Sequence, residues 1–222
     1  MNNQKLLIVE DKADEAIFAR DHAISAGFKE VTLATTLEEA QKYLPGAQAV
    51  VSDLFFPAGN VSTETYVQRF LPLYEGFKQR RFQKTDGNNI VLRVIQGCAE
   101  TFGITPEKYV EEFIAKCNTP VSVLKAARDA VRGIADSDKY DAFLKIEQGI
   151  KEGKNLPLGI IVAEQAKERG LPALIVTSTN HHHDSFEPVR SLVPSPYFDN
   201  LIEGRKNWAG AMDYLKQHGG TQ

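Results

Sequence analysis

The stretch Lys5–Asp11, with the sequence KLLIVED, places a short apolar run directly before two acidic residues. Such a run is typical of a strand that is buried inside a parallel sheet. Two later stretches carry similar apolar runs that end at a polar residue: Ala47–Asp53 is AQAVVSD, and Ala173–Thr177 is ALIVT. Because helical patterns follow the first strand and precede the last one, the sequence predicts an α/β fold around a parallel sheet.

The apolar periodicity divides the chain into three parts. Strand and helix patterns alternate over residues 1–57 and resume over residues 156–222, which together predict one α/β domain. The segment 58–155 between them is predicted to be mostly helical. Within it, Thr105-Pro106 and Thr119-Pro120 each place an N-cap residue before a first-turn proline. We therefore expect a helical insert in the α/β domain.

Two helices and one loop of the α/β part are predicted in more detail. The stretch His181–Asn200 is predicted to be a loop because it is rich in proline and polar residues. Helical spacing predicts an apolar face on the first helix and another on the last. The first face comprises Ala16, Ile17, Ala19, Ala23 and Ile24, and the last comprises Trp208, Ala211, Met212 and Leu215.

The composition excludes several classes of protein. Of the 222 residues, 42% are apolar and 25% are charged, which excludes a disordered chain and a collagen-like repeat. The two cysteines, Cys98 and Cys117, fit a reducing compartment. No apolar run approaches the roughly 18 residues that a membrane helix needs, so we expect a cytoplasmic protein with no membrane partner. A net charge of −3 argues against a nucleic-acid partner.

Acidic and hydroxyl side chains follow the predicted strands. Glu10 and Asp11 come after the first strand, Asp53 after the third, and Thr177 after a later one. The carboxyl ends of parallel strands meet at one edge of a sheet, where ligands bind. Clustered carboxylates repel one another unless a hard cation is bound. The sequence thus predicts a metal and phosphoryl site, and the alternative is that Glu10 or Asp11 only caps the next helix.

These stretches resemble the receiver domain of two-component response regulators. The resemblance rests on LLIVED at 6–11, DLFFP at 53–57 and PALIVTS at 172–178. It covers about residues 4–57 and 156–217. The family implies a flavodoxin-like fold, which is a doubly wound, five-stranded parallel sheet. In the family a glycine soon follows the proline of the DLFFP motif, and here Gly159 is the matching glycine.

The resemblance implies a role for each acid. Asp53 would be the phosphoacceptor, a carboxylate nucleophile that forms an acyl phosphate. Asp11, helped by Glu10, would hold Mg²⁺ together with a carboxylate oxygen of Asp53 and the backbone carbonyl of Phe55. The Thr177 hydroxyl would bond a phosphoryl oxygen after transfer.

The residues that match the family's lysine and aromatic switch depart from its pattern. Lys206 is the best match for the lysine that pairs with the phosphoryl group, with Arg205 as the alternative. Asn207 stands where the family usually has proline, and the preceding LIEGR is a poor strand pattern. Glu203 occupies the place of the switch aromatic, for which Tyr197 or Phe198 would have to substitute.

The family resemblance implies a stand-alone receiver in a Mg²⁺-dependent phosphorelay, since only residues 207–222 follow Lys206. Its partners would be a histidine kinase or phosphotransfer protein and an unknown downstream protein. It would be a signalling domain rather than a turnover enzyme. The insert would be a lid, a dimerisation element that makes a homodimer, or a docking surface. The alternative is a receiver-like scaffold that is no longer phosphorylated.

Two further interpretations concern other residues. A phosphatase of the haloacid-dehalogenase type needs a second Asp two residues after the nucleophile. That position is Phe55 here, which argues against this class of enzyme.

The histidine run His181–His183 lies shortly after Thr177. It predicts an exposed polar loop, with a metal-binding or pH-sensing role as the alternative.

Overall fold

The computed structural model of the protein describes residues 5–82, 97–116 and 139–218. Five strands form one parallel sheet in the order β2-β1-β3-β4-β5. This finding confirms the predicted α/β fold with a five-stranded parallel sheet. The strands are β1 Lys5–Val9, β2 Glu30–Ala34, β3 Ala49–Ser52, β4 Ala173–Val176 and β5 Tyr197–Phe198.

Strand β1 has a sheet neighbour on each side, β2 and β3. Ile8 pairs with Leu33 on one side and with Val51 on the other. The connection after β1 therefore leads to one side of β1, and the connection after β2 crosses to the other side. Such a reversal in strand order leaves a crevice at the carboxyl ends of the strands. The strand order is compatible with a flavodoxin-like fold.

Helices connect the strands, and further helices lie in the described parts of the segment between β3 and β4. Thr36 caps the second helix by accepting a hydrogen bond from the Glu39 amide at 3.2 Å, as the sequence predicts. Residues 97–102 and 139–151 are also helical, and 3₁₀ turns cover Leu44–Gly46 and Glu187–Leu192. The other helices are α1 Ala13–Ser25, α2 Leu37–Tyr43, α3 Glu64–Phe82, α4 Pro106–Lys116, α5 Leu158–Glu168 and α6 Trp208–His218.

The sheet is covered on both faces. Helices α1 and α6 pack against each other over one face, and α2 and α5 pack together over the other. Alternation along β1 sends Leu6 and Ile8 into the core under α1 and α6. The predicted apolar face of α6 is confirmed, since all of its members are buried. They are Trp208, Ala211, Met212 and Leu215.

Helix α1 differs from the prediction at two positions. Ala16, Ala19 and Ala23 are buried as expected, but Ile17 is 50% exposed and Ile24 is 57% exposed. The helix packs through a narrow face of small side chains, so the larger isoleucines beside that face stay in solvent. The predicted apolar face is therefore wrong for both isoleucines.

The edge of the sheet lies in a stretch that the sequence predicts to be a loop. Strand β5 is only two residues long and pairs with Ile175 and Val176. A separate antiparallel hairpin follows, formed by β6 Leu201–Ile202 and β7 Arg205–Lys206. Glu203 and Gly204 at its turn have positive φ angles of 52° and 79°. Two positive angles in succession match a type I′ hairpin turn.

The described residues form two compact units, one with residues up to 75 and from 146 onward, and one between 76 and 145. In the second unit, the rings of Phe77 and Phe143 lie 5.5 Å apart. Thr105 accepts a hydrogen bond from the Lys108 amide at 3.3 Å, at the predicted start of α4. The predicted start at Thr119-Pro120 lies outside the described residues. None of the described helices combines the length and apolar character that crossing a bilayer requires.

Candidate functional site

The predicted acids meet at the carboxyl edge of the sheet. Glu10 directly follows β1 and Asp53 directly follows β3, and both are buried. Asp11 is exposed beside them. One oxygen from each of the three carboxylates lies within 4.8 Å of one oxygen of the others. The structure thus brings Glu10, Asp11 and Asp53 together in a single cluster.

The backbone holds Asp53 in place. The Asp53 amide donates to the Val9 carbonyl at 2.8 Å, which continues the pairing of β1 with β3. Oδ1 of Asp53 accepts a hydrogen bond from the Leu54 amide at 2.7 Å. The carboxylate is therefore oriented by the main chain on one side, and its second oxygen faces the other groups of the cluster.

Gly159, in the first turn of α5, packs directly against the backbone of Asp53. Its amide donates to the Leu54 carbonyl at 3.0 Å. A Cβ at position 159 would lie 2.1 Å from the Asp53 carbonyl oxygen, which no real side chain tolerates. The close approach of α5 to the end of β3 therefore requires glycine.

Lys206 contacts two of the three acids. Its Nζ lies 2.8 Å from Oδ2 of Asp53 and also makes a short contact with Oε2 of Glu10. The Lys206 side chain is buried. Arg205, the alternative to Lys206, instead lies over the Phe18 ring at 4.8 Å. The structure thus places Lys206, and not Arg205, in the cluster, and β7 of the hairpin carries it.

The charges shift one another's titration. Burial, together with the nearby Asp53 carboxylate, raises the pKa of Glu10 to about 7. Burial also raises the pKa of Asp53, although the Lys206 ammonium opposes that shift. Burial alone would lower the pKa of Lys206, but the carboxylates of Asp53 and Glu10 outweigh it and raise that pKa. Lys206 is therefore charged at neutral pH.

The capping alternative accounts for one oxygen of Glu10. Oε1 of Glu10 accepts a hydrogen bond from the Lys12 amide at 3.1 Å, just before α1 begins. The other oxygen faces Lys206. The capping explanation covers only Glu10 or Asp11 and gives no role to Asp53, so capping by itself does not explain the cluster.

Helices α1 and α6 are joined beside the cluster through a buried hydrogen bond. Nε1 of Trp208 donates to Oε2 of Glu15 at 2.8 Å. The Trp208 ring also lies 5.8 Å from Nζ of Lys206. Trp208 is the only tryptophan in the chain, so its fluorescence reports on the surroundings of Lys206.

Thr177 and Phe55 lie at the same edge. Thr177 is buried directly after β4, and its amide donates to the Phe198 carbonyl at 2.8 Å. Its hydroxyl accepts a hydrogen bond from the Thr179 amide at 3.2 Å. Phe55 is half-buried in the loop after β3, two residues beyond Asp53. The role of the Thr177 hydroxyl and that of the Phe55 carbonyl stay predictions.

The histidine run is not one uniform loop. Nδ1 of His181 lies 2.5 Å from Oδ2 of Asp199, and the same oxygen accepts the His181 amide at 2.7 Å. Nδ1 of His183 instead lies 2.7 Å from the Ser185 hydroxyl. Within the described residues, the histidines join no cluster of metal-ligating side chains. The metal-binding alternative for the run therefore gains no support.

The donor set of the acidic cluster fits a hard divalent cation. Every candidate ligand atom among the side chains is a carboxylate oxygen, the type that Mg²⁺ prefers. When all are ionised, the three carboxylates exceed the charge of the one ammonium group by two. A divalent cation balances that excess. Glu10, Asp11 and Asp53 are the residues that would hold it.

Comparisons with protein-family models, with curated proteins and with solved structures found no match for this chain.

Sequence reasoning missed two features of this edge. Asp199, the partner of His181, follows a strand of two residues that gives no periodic signal. The Glu15–Trp208 hydrogen bond was also not predicted, because acidic residues in a first helical turn usually face solvent. Trp208 itself was predicted as a core residue, and its indole N–H requires a partner when buried.

Proposed function

We propose that this chain is a receiver-type signalling protein that accepts a phosphoryl group on Asp53. Its donor would be a histidine kinase or a histidine phosphotransfer protein in the cytoplasm, and it would signal by contact with a downstream protein. The proposal includes the flavodoxin-like form of the sheet. The observation that carries it is the cluster at the carboxyl edge, where Lys206 contacts Asp53 and the carboxylates of Glu10 and Asp11 lie within 4.8 Å of that of Asp53.

The chemistry assigned to Asp53 is nucleophilic attack. A carboxylate oxygen of Asp53 attacks the phosphorus of a phosphohistidine or a phosphoramidate. A P–O bond forms while the P–N bond breaks, and the leaving nitrogen keeps the electron pair and takes a proton. Attack requires the ionised carboxylate, and the Lys206 ammonium at 2.8 Å favours that form.

The other residues act on charge and position. Lys206 Nζ can bond a phosphoryl oxygen once Asp53 is phosphorylated, because one of its two present partners is the same carboxylate. The Thr177 hydroxyl, buried after the neighbouring strand β4, is assigned the second phosphoryl contact. Bound Mg²⁺ would supply neutralisation of charge on the transferring group. Glu10, Asp11 and Asp53 would hold that ion, with the Phe55 carbonyl as a further oxygen ligand.

The segment 58–155 is proposed to be a helical insert in the receiver-like domain. Support comes from Gly159, which lies beyond that segment yet packs on the backbone of Asp53 and Leu54. Helix α5 thus begins next to the end of β3, although about 100 residues separate the two in the sequence. The insert is assigned to partner contact, either as a docking surface or as a dimerisation element.

Phosphorylation by a small-molecule donor tests the proposal. The protein is incubated with phosphoramidate and Mg²⁺, and its intact mass is recorded. We expect one phosphoryl adduct that is lost in Asp53→Asn and in the presence of a chelator. Asp21→Asn, at an exposed acid on α1, is the matched control and should label as the wild type does. A phosphoryl adduct in Asp53→Asn at the same yield as in the wild type would overturn the proposal.

A second candidate function is a scaffold that is not phosphorylated. Two observations favour it: Lys206 already pairs with both Glu10 and Asp53, and Glu203 replaces the aromatic switch. In that case the ion pairs would serve stability alone. Folded protein that gives no adduct, and whose Trp208 fluorescence does not respond to millimolar Mg²⁺, would favour the scaffold.

A further inference from the structure

The pair formed by His181 and Asp199 has the geometry of an oriented base. Nδ1 of His181 lies 2.5 Å from Oδ2 of Asp199. An ionised carboxylate only accepts hydrogen bonds, so Nδ1 must carry the proton in this contact. A neutral ring then has its lone pair on Nε2, the atom that can accept a proton. This arrangement of carboxylate and imidazole orients the base in many hydrolytic sites.

The pair lies at the edge that carries Asp53. Asp53, Thr177 and Asp199 directly follow β3, β4 and β5, which are consecutive neighbours in the sheet. Adjacent strands are about 5 Å apart, so the backbones at Asp53 and Asp199 are separated by about 10 Å. His181 follows Thr177 by four residues in the sequence, and 28% of its side chain is exposed to water.

We propose that His181, held by Asp199, is the general base that hydrolyses the acyl phosphate on Asp53 and so limits its lifetime. This inference rests on the proposed function. Nε2 of His181 takes a proton from a water molecule while the water oxygen attacks the phosphorus. The P–O bond to Asp53 breaks, Asp53 leaves as a carboxylate, and inorganic phosphate is released. The proton on His181 then passes to solvent.

The charge of the His181 ring, and so the rate of acyl-phosphate hydrolysis, depends on pH and on the groups around the ring. Asp199 faces the ring from the end of β5, the His182 ring lies 4.0 Å away, and the Tyr197 ring lies 6.3 Å away. Only a neutral imidazole accepts a proton. The hydrolysis rate in the wild type should therefore be higher where the His181 ring is neutral than where it is protonated.

A decay experiment tests the assignment. Wild-type protein is labelled with phosphoramidate and Mg²⁺, desalted into buffers between pH 5.5 and 8.5 (about the range over which histidines titrate), and followed by intact mass. In His181→Gln we expect the adduct to decay at least about tenfold more slowly than in the wild type. The dependence of the decay rate on pH should also become flatter. His183→Gln, at the neighbouring histidine that contacts Ser185, is the control and should decay as the wild type does.

Asp199→Asn separates catalysis from a purely structural role. The asparagine oxygen can still accept the His181 amide, so the loop remains attached to β5. The neutral amide no longer favours the ring with its proton on Nδ1, so the decay should slow as it does in His181→Gln. Wild-type decay in both variants would overturn the inference and leave the proposed function intact. If the wild type forms no adduct on Asp53, the proposed function and this inference fail together.

Discussion

The two sides of the cluster are held in different ways. The acidic side, which comprises Glu10, Asp11 and Asp53, follows β1 and β3 in the middle of the five-stranded sheet. The basic side is Lys206, which lies on a two-residue strand of a separate hairpin. In β6 of that hairpin, Leu201 and Ile202 are each 50% exposed. The central strands therefore fix the acids, whereas apolar packing contributes little to the hairpin.

This difference indicates that charge itself anchors the basic side. Lys206 is the buried member of β7, and its contacts to Glu10 and Asp53 join the hairpin to the sheet edge. A ligand that draws negative charge away from Lys206 would loosen this attachment, whereas the acids would stay in place.

The largest effect is expected from removing the ammonium group of Lys206. In Lys206→Met the apolar stem remains, but Glu10 and Asp53 lose their buried cation. We expect the free energy of unfolding to fall by about 3–5 kcal/mol, measured by urea denaturation. Arg205→Met, at the adjacent exposed position, should cost less than about 1 kcal/mol. Equal losses in the two variants would show that the hairpin does not depend on the buried charge.

The second effect concerns Glu10 and pH. Its pKa is about 7 in the folded protein and 4.5 as the ordinary value, so the folded state binds a proton that the unfolded state has released. Stability should therefore fall as pH rises from about 4.5 to 7, by about 2–3 kcal/mol in the absence of divalent cations. Glu10→Gln should show a flatter dependence in denaturation curves at several pH values. An unchanged slope in this variant would contradict the assignment to Glu10.

The third effect concerns the fit of α5 against the acidic side. Gly159→Ala would place a Cβ 2.1 Å from the Asp53 carbonyl oxygen, so the helix or the end of β3 must shift. We expect a loss of about 1–3 kcal/mol of unfolding free energy and slower labelling by phosphoramidate. Gly46→Ala is the control, since a Cβ there meets no atom within 4 Å. Similar losses in both variants would argue against the close packing at Gly159.

The smallest effect concerns the hairpin turn. Glu203 has a positive φ of 52°, a conformation that costs most side chains energy. Asparagine followed by glycine is the favoured sequence of a type I′ turn, so Glu203→Asn should raise the unfolding free energy by about 0.5 kcal/mol. Thermal denaturation checks the change, and Glu203→Val should move the midpoint in the opposite direction. A stabilising valine would contradict the turn assignment.

The same contrast explains what could be predicted from the sequence. The acids follow apolar runs such as LLIV and AVV, whose burial and period identify a central strand and its end. Their convergence then follows from the geometry of parallel sheets. Lys206 was placed by resemblance alone, because strands of two residues carry no period and their pairing depends on distant parts of the chain.

Other parts of the fold were also beyond sequence reasoning. Strand β5 lies among Pro194, Pro196 and polar residues, which favour loops, and only its pairing with β4 defines it. The exposure of Ile17 and Ile24 depends on how closely the alanines of α1 approach α6, a tertiary property. The partner of His181 could not be inferred because contacts between loops leave no repeating pattern.

Locating the phosphoryl group within the chain tests most directly whether Asp53 is the phosphoacceptor. Protein labelled with phosphoramidate and Mg²⁺ is reduced with borohydride, which converts an aspartyl phosphate into homoserine, and the peptides are sequenced by mass spectrometry. We expect homoserine at position 53 in the wild type, and none when a chelator replaces Mg²⁺. Homoserine at another aspartate, or labelled protein with unmodified Asp53, would contradict it.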